Sequence, residues 1–196
     1  GAKAFCKAMG GIQKLSSLVG EKEFLVKYLR KIMSALPNRN FIASSETRQG
    51  RSWMVKHGFG RGWVPEVAFN QCNNCFLQVD LGEARDIVAL ATARMSSATV
   101  TNLRVLSSMD GVEYIPAGTF NSRDGEMLVY LDAPVTARYV RFVPLKYTTH
   151  VQLRAELFEL RSGPASNGKS PISSIREKKT MDEVIQRDLA SCCVLS

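Results

Sequence analysis

Five short stretches of this chain alternate apolar and polar residues with a period of two. They are Phe76 to Leu81, Leu103 to Ser107, Met127 to Leu131, Arg138 to Val143 and Leu153 to Leu160. Successive side chains of a strand point to opposite faces, so this pattern gives strands with one buried and one wet face. Asp110-Gly111 and Asp124-Gly125 mark turns between them. Little helical periodicity lies in between, which argues against a parallel sheet built from strand–helix–strand units. The expected core is all-β, an antiparallel sandwich or barrel.

The length of 196 residues, with 45% hydrophobic and 22% charged residues, suits one globular domain with tails and excludes a wholly disordered chain. No run of about 18 apolar residues is present, so no membrane-spanning helix is expected. No secretory signal is visible. The net charge is +8, unevenly placed. Residues 1–40 hold 8 Lys/Arg and 2 Asp/Glu, residues 41–160 hold 12 of each, and residues 161–196 hold 6 and 4. A nucleic-acid-binding domain normally carries its basic excess on the folded body. Here the excess sits in the tails, which disfavours nucleic acid. It points the tails towards an anionic membrane surface or an acidic protein, with RNA the weaker option.

Four regions are expected. Residues 1–40 form a basic helical extension, because Leu25, Leu29, Ile32 and Leu36 fall at helical spacing over Glu21 to Leu36, with lysines and arginines mostly elsewhere on the wheel. Packing on the domain, a membrane interface and a partner protein are all open to it. Residues 41–160 form the β domain. Residues 161–178 are a polar linker. Residues 179–196 form a short helix, begun by the capping-box pattern Thr180-Met-Asp-Glu183, and a tail.

Within the β region, Ala43-Ser44-Ser45-Glu46, Trp63 and Phe76-Leu-Gln-Val-Asp-Leu-Gly82 resemble the F5/8 type C, or discoidin, domain. Val105-Leu-Ser-Ser-Met-Asp-Gly111 with Tyr114 resembles its strand and turn, and Ala137 to Pro144 and Leu153 to Leu157 resemble its closing strands. The resemblance implies a galactose-binding-like jelly roll of about eight strands, flanked here by the N-terminal amphipathic helix and the short C-terminal one. It also implies a recognition module for glycans, phospholipid headgroups or proteins, held by loops at one end of a rigid scaffold.

Mapped onto this chain, the ligand loops are Arg48 to Trp63, Arg94 to Ala98 and Lys146 to His150. The candidate ligand-binding residues are Arg51, Trp53, Lys56, His57, Phe59, Arg61, Arg94, Lys146 and His150. Cations beside aromatics suit a sugar face, a headgroup or a protein hot spot. Trp63 matches a core tryptophan of the family and is expected to be buried. Secreted members commonly join the two ends of the domain by a disulfide. No cysteine stands near Asn40 or Leu160, which favours a reducing compartment and a cytoplasmic rather than secreted protein.

Cys72-Asn-Asn-Cys75 is half of a zinc site, a local redox pair or two ordinary loop thiols, and the last is favoured. No metal site and no cofactor are expected. Cys193-Val-Leu-Ser196 fits the C-a-a-X prenylation pattern, with terminal Ser pointing to farnesyl and Cys192 to palmitoylation. One lipid chain anchors only marginally, so the basic residues of 1–40 would act as a second signal. G-x-S-x-G, H-E-x-x-H and a phosphate-binding glycine loop are absent, so no enzyme is expected. The leading expectation is an intracellular adaptor that binds a protein or an anionic lipid headgroup through its end loops, membrane-tethered through Cys193. The alternatives are a structural subunit of a cytoskeletal or ciliary, microtubule-associated assembly and a carbohydrate-binding lectin.

Overall fold

The structure, a computed structural model, describes residues 28–56, 61–66, 72, 74–95, 98–122 and 124–161. By internal packing the chain divides into residues 1–160 and 161–196, and of the second unit only Arg161 is described. The expected C-terminal helix, Cys192 and Cys193 lie outside the described residues, as do His57 and Phe59.

Seven strands make up the described fold: β1 (Leu29–Lys31), β2 (Phe41–Ala43), β3 (Leu77–Thr92), β4 (Val100–Ser108), β5 (Ile115–Asn121), β6 (Met127–Tyr147) and β7 (Ala155–Leu160). All the strand pairs are antiparallel, in the order β1-β7-β3-β6-β4-β5, and β2 adds to β3. Two strands are long because each serves both layers. β3 and β6 stay paired from Leu77↔Phe142 to Thr92↔Met127, with register breaks between Asp80 and Arg85 and between Ile87 and Ala89. Such breaks bend a paired ribbon. The first half of β3 carries β2, and its second half carries β7 and then β1. The later part of β6 carries β4, and β4 carries β5 at the sheet edge. The two layers close over Leu77, Val79, Leu81, Leu90, Val105, Val140, Phe142 and Leu157, all buried. The expected eight strands are seven among the described residues.

The N-terminal segment differs from the expected helix. From Leu29 it runs as strand β1, with Leu29 opposite Leu160 and Lys31 opposite Phe158, then turns through a 3-10 segment at Met33–Ala35. The spacing of Leu29, Ile32 and Met33 suits either form, because a strand that ends in a tight turn also sends all three inward. Pairing with β7 decides between them. Ile32 and Met33 enter the main core, and Leu29 packs with Val88, Ala89 and Phe158.

This segment joins the two ends of the domain without a covalent link. Ile32 N–H donates to Leu157 O at 2.9 Å, and Arg30 pairs with Glu159. The Glu156 carboxylate, only 1% exposed, accepts from Met33 N–H (2.7 Å), Ser34 N–H (3.2 Å), the Ser34 hydroxyl and Leu157 N–H (3.0 Å). A buried carboxylate is tolerated only with partners of this kind. Burial still dominates and raises its pKa, against the lowering effect of those hydrogen bonds.

Cys72 and Cys75 are not the thiols expected but a disulfide, buried in the core cluster. Their Cα atoms lie 5.3 Å apart, within the range that a disulfide spans. Among the described residues no helix is long and apolar enough to cross a membrane.

Candidate functional site

At one end of the sandwich, three stretches remote in sequence converge on an open cleft of about 900 Å³. The first supplies Thr47, Arg48, Gln49, Arg61 and Val64, the second Arg94 and Met95, and the third His150, Gln152 and Arg154.

Backbone hydrogen bonds hold the first stretch. Thr47 N–H donates to Val64 O (2.8 Å), and Val64 N–H to Gly50 O (3.0 Å). Trp63 and Leu153 exchange both of their backbone bonds, at 2.8 and 2.9 Å, which fastens the first stretch to the third. The approach is close enough to require glycine beside it. Gly62 has φ +81°, and a Cβ there would sit 2.6 Å from Leu153 O. Gln152 donates its side-chain amide to Arg61 O. Ala93 N–H donates to Arg154 O at 3.1 Å and ties in the second stretch. Trp63 is fully buried below, its Nε1–H donating to Ser45 O at 3.0 Å, as a core residue of this fold should be.

The electrostatics are one-sided. Four arginines and a histidine line the cleft. Arg61 reaches the neutral Gln49 amide at 3.3 Å. Arg94 reaches Asp124 at 3.4 Å, a pair more than half exposed on both sides and therefore weak. The nearby carboxylate of Glu46 turns away to accept from Arg51 (2.8 Å) and from Ser52 N–H (2.7 Å). Burial pushes its pKa up, but the bonds from Arg51 and Ser52 outweigh that and hold it below the ordinary value.

Of the residues singled out from the sequence, the structure brings Arg61, Arg94 and His150 together. It places others elsewhere. Arg51 faces Glu46, and Trp53 is half-buried against the core. Lys56 is buried, donating to Leu36 O (3.2 Å) and Asn38 Oδ1 (2.9 Å) over the Phe41 ring. It is an internal anchor for the segment after β1, turned inward because those two acceptors need a donor. Lys146 stands exposed on β6, outside the cleft lining. Arg48 and Arg154 were not singled out. Arg48 opens the expected loop, but Arg154 sits in a stretch that reads as strand, and no local signal marks it. Among the described residues no three His, Cys, Asp or Glu side chains converge as metal ligands.

Residues 42–157 match the F5/8 type C domain model. The fold is similar to that of discoidin II from Dictyostelium discoideum, at 21% identity and a TM-score of 0.55 over 65% of this chain and 57% of that one. The chain thus spans little more than half the length of that relative. It is also similar to the family 32 CBM from C. perfringens NanJ in complex with galactose, at 18% identity and a TM-score of 0.51 over 67% and 99% of the two chains. CpGH89CBM32-5 from Clostridium perfringens, in complex with GalNAc-beta-1,3-galactose, gives 18% and 0.51 over 66% and 100%. Because the family model spans more than half of the sequence, this chain belongs to the F5/8 type C domain family.

Proposed function

We propose that this protein is a non-catalytic recognition module that holds its ligand in the end cleft. One observation carries the reading: three loops far apart in sequence are fastened to one another by backbone bonds around an open cleft of ligand size. Rigid strands below and tied loops above suit binding. The ligand is a protein or a lipid headgroup, and the protein acts as an intracellular adaptor; the absent end-to-end disulfide supports that placement, and the Cys72–Cys75 disulfide weighs against it. The basic residues of 1–40 and a farnesyl group on Cys193 set its location.

The test compares native protein with the double variant Arg61→Ala/Arg94→Ala, both checked for fold by circular dichroism. Binding is read on lipid vesicles, on a glycan array and by pull-down with stoichiometry. Loss of the native binding in the variant supports the cleft, and equal binding removes it. Intact-mass measurement on protein from its native source tests the tether: a farnesyl mass gain with loss of Val194-Leu-Ser196 supports it.

A lectin is the second reading, favoured by the two neighbours whose structures hold galactose and GalNAc-beta-1,3-galactose. Against it, no aromatic side chain stands among the described lining residues to stack on a sugar face.

A further inference from the structure

We infer that the Cys72–Cys75 disulfide is a redox-sensitive clasp on the end cleft: oxidised, it holds two of the three cleft-forming stretches in place, and reduction by a dithiol loosens them. This names a regulation of the cleft as the binding site and rests on that reading.

The clasp does not hold the fold together. It joins residues three apart in one loop, so breaking it parts no two strands, and the ends of the domain are held by β1 on β7. Its consequences fall on the cleft, because the two cysteines are tied to different stretches of the lining. On one side, Phe76, next to Cys75, exchanges two bonds with Ser44. Its N–H donates to the Ser44 hydroxyl (3.0 Å), and its O accepts from Ser44 N–H (2.9 Å). Ser44 leads into the first stretch, where Ser45 O takes the Trp63 indole and Thr47 lines the cleft. On the other side, Cys72 N–H donates to the Tyr147 hydroxyl at 3.4 Å. Tyr147 ends β6 and leads into the third stretch. There Thr148 N–H donates to Thr99 O (3.0 Å), and His150 lines the cleft.

The chemistry is thiol–disulfide exchange. A thiolate of the dithiol attacks one sulfur of the pair and forms a mixed disulfide with it, and the other cysteine leaves as a thiolate and takes a proton. The second thiolate of the reductant then attacks the reductant's own sulfur in that mixed disulfide, and the first cysteine leaves and is protonated in turn. The protein gains two electrons and two protons, and the dithiol becomes a disulfide. Burial of both cysteines slows the exchange without setting its equilibrium. Both sit in the main core cluster, where close packing leaves little spare room. Two non-bonded sulfurs need more room than two bonded ones, so reduction displaces the flanking residues as well as releasing them. In the reducing compartment proposed above, a disulfide is of the transient, redox-sensing kind.

The experiment uses the full chain, oxidised or equilibrated with dithiothreitol. Amide hydrogen exchange is followed by NMR, and alkylation with peptide mass mapping counts the free thiols at Cys72 and Cys75. Reduction should speed exchange at Ser44, Thr47 and Thr148 by about threefold or more and leave Ile32, bonded to Leu157 O, unchanged. The variant Cys72→Ser/Cys75→Ser should exchange like the reduced protein and ignore dithiothreitol. A response that persists in the variant belongs to Cys6, Cys192 or Cys193 and overturns the inference. So does unchanged exchange on reduction, and so does an equal rise at Ile32, which makes the bond a general stabiliser. A pair that stays oxidised in a glutathione buffer at the cytosolic poise overturns it too. None of these measurements needs a ligand, so they fail separately from the reading of the cleft. Exchange that responds to reduction, beside undiminished ligand binding by Arg61→Ala/Arg94→Ala, removes the cleft as the binding site and leaves the clasp.

Discussion

Replacing Glu156 by Ala should loosen the join between the two ends of the domain and lower stability by about 2–3 kcal/mol. The carboxylate takes three hydrogen bonds from the Met33–Ser34 turn and one from Leu157 N–H. A hydrogen bond to a charged group contributes about 1.5–3 kcal/mol net. A value below that range applies here, because burial of the charge opposes the gain, as the raised pKa shows. Taking roughly 1 kcal/mol for each of the three bonds to the turn, and allowing water to reach half-buried Ser34, gives the quoted range. A urea slope of about 2 kcal/mol/M suits a domain of this size, so the midpoint should fall by about 1–1.5 M. Urea unfolding followed by tryptophan fluorescence measures this, since buried Trp63 reports on the core. A midpoint shift below about 0.3 M would refute the claim that a buried carboxylate holds the ends together.

Glu156→Gln should show a deficit that depends on pH. Burial raises the Glu156 pKa above 4.5, so the native state holds this proton more tightly than the unfolded chain. Its contribution therefore falls as pH rises from the unfolded value through the raised folded one. The Gln deficit should be largest near pH ~4 and narrower by about pH 7; urea midpoints at both values check this, and a deficit that widens contradicts it. Lys56→Met keeps the aliphatic stem but loses the bonds to Leu36 O and Asn38 Oδ1, so it should cost about 1–2 kcal/mol and weaken ligand affinity in the end cleft as loss of Glu156 does. Chemical denaturation and a binding titration read the two effects separately. Trp63→Phe should cost about 2 kcal/mol or more, combining lost volume with the lost bond to Ser45 O, measurable as a lower urea midpoint followed by circular dichroism.

The architecture was legible where one physical signal dominated. The alternation at Phe76 to Leu81 and Arg138 to Val143 places Leu77, Val79, Val140 and Phe142 inward, as found. The segment over Leu29 to Leu36 was not legible, because its apolar spacing is shared by a helix and by a strand that ends in a turn. Only its pairing with β7, more than a hundred residues away, separates them. Lys56 failed for a related reason. A lysine beside aromatics in a loop suits a ligand site, and nothing local reveals that Leu36 O and Asn38 Oδ1 await it. The cleft arginines show the same limit from the other side. Arg48, Arg94 and Arg154 stand tens of residues apart, and their clustering exists only after Trp63 pairs with Leu153 and Ala93 with Arg154.

The join between the ends and the cleft are two parts of one device, because they share a stretch of chain. His150, Gln152 and Arg154 line the cleft, and Glu156 to Leu160 hold the N-terminal segment. Between them, Ala155 pairs with Thr92 and bridges to Lys56, so the residue that separates the two functions is fixed on both sides. Lys56 in turn grips Leu36 and Asn38, beyond the turn that Glu156 holds. Two buried charged side chains thus anchor one short segment against the strand whose preceding residue, Arg154, faces the cleft. A disulfide would fasten the ends at one point and leave the rest of that segment unpositioned. The noncovalent join spreads the restraint along Leu29 to Asn38 and carries it to within two residues of the cationic lining. Loss of Glu156 should therefore weaken ligand affinity as well as stability, whereas loss of Arg48 should weaken affinity alone.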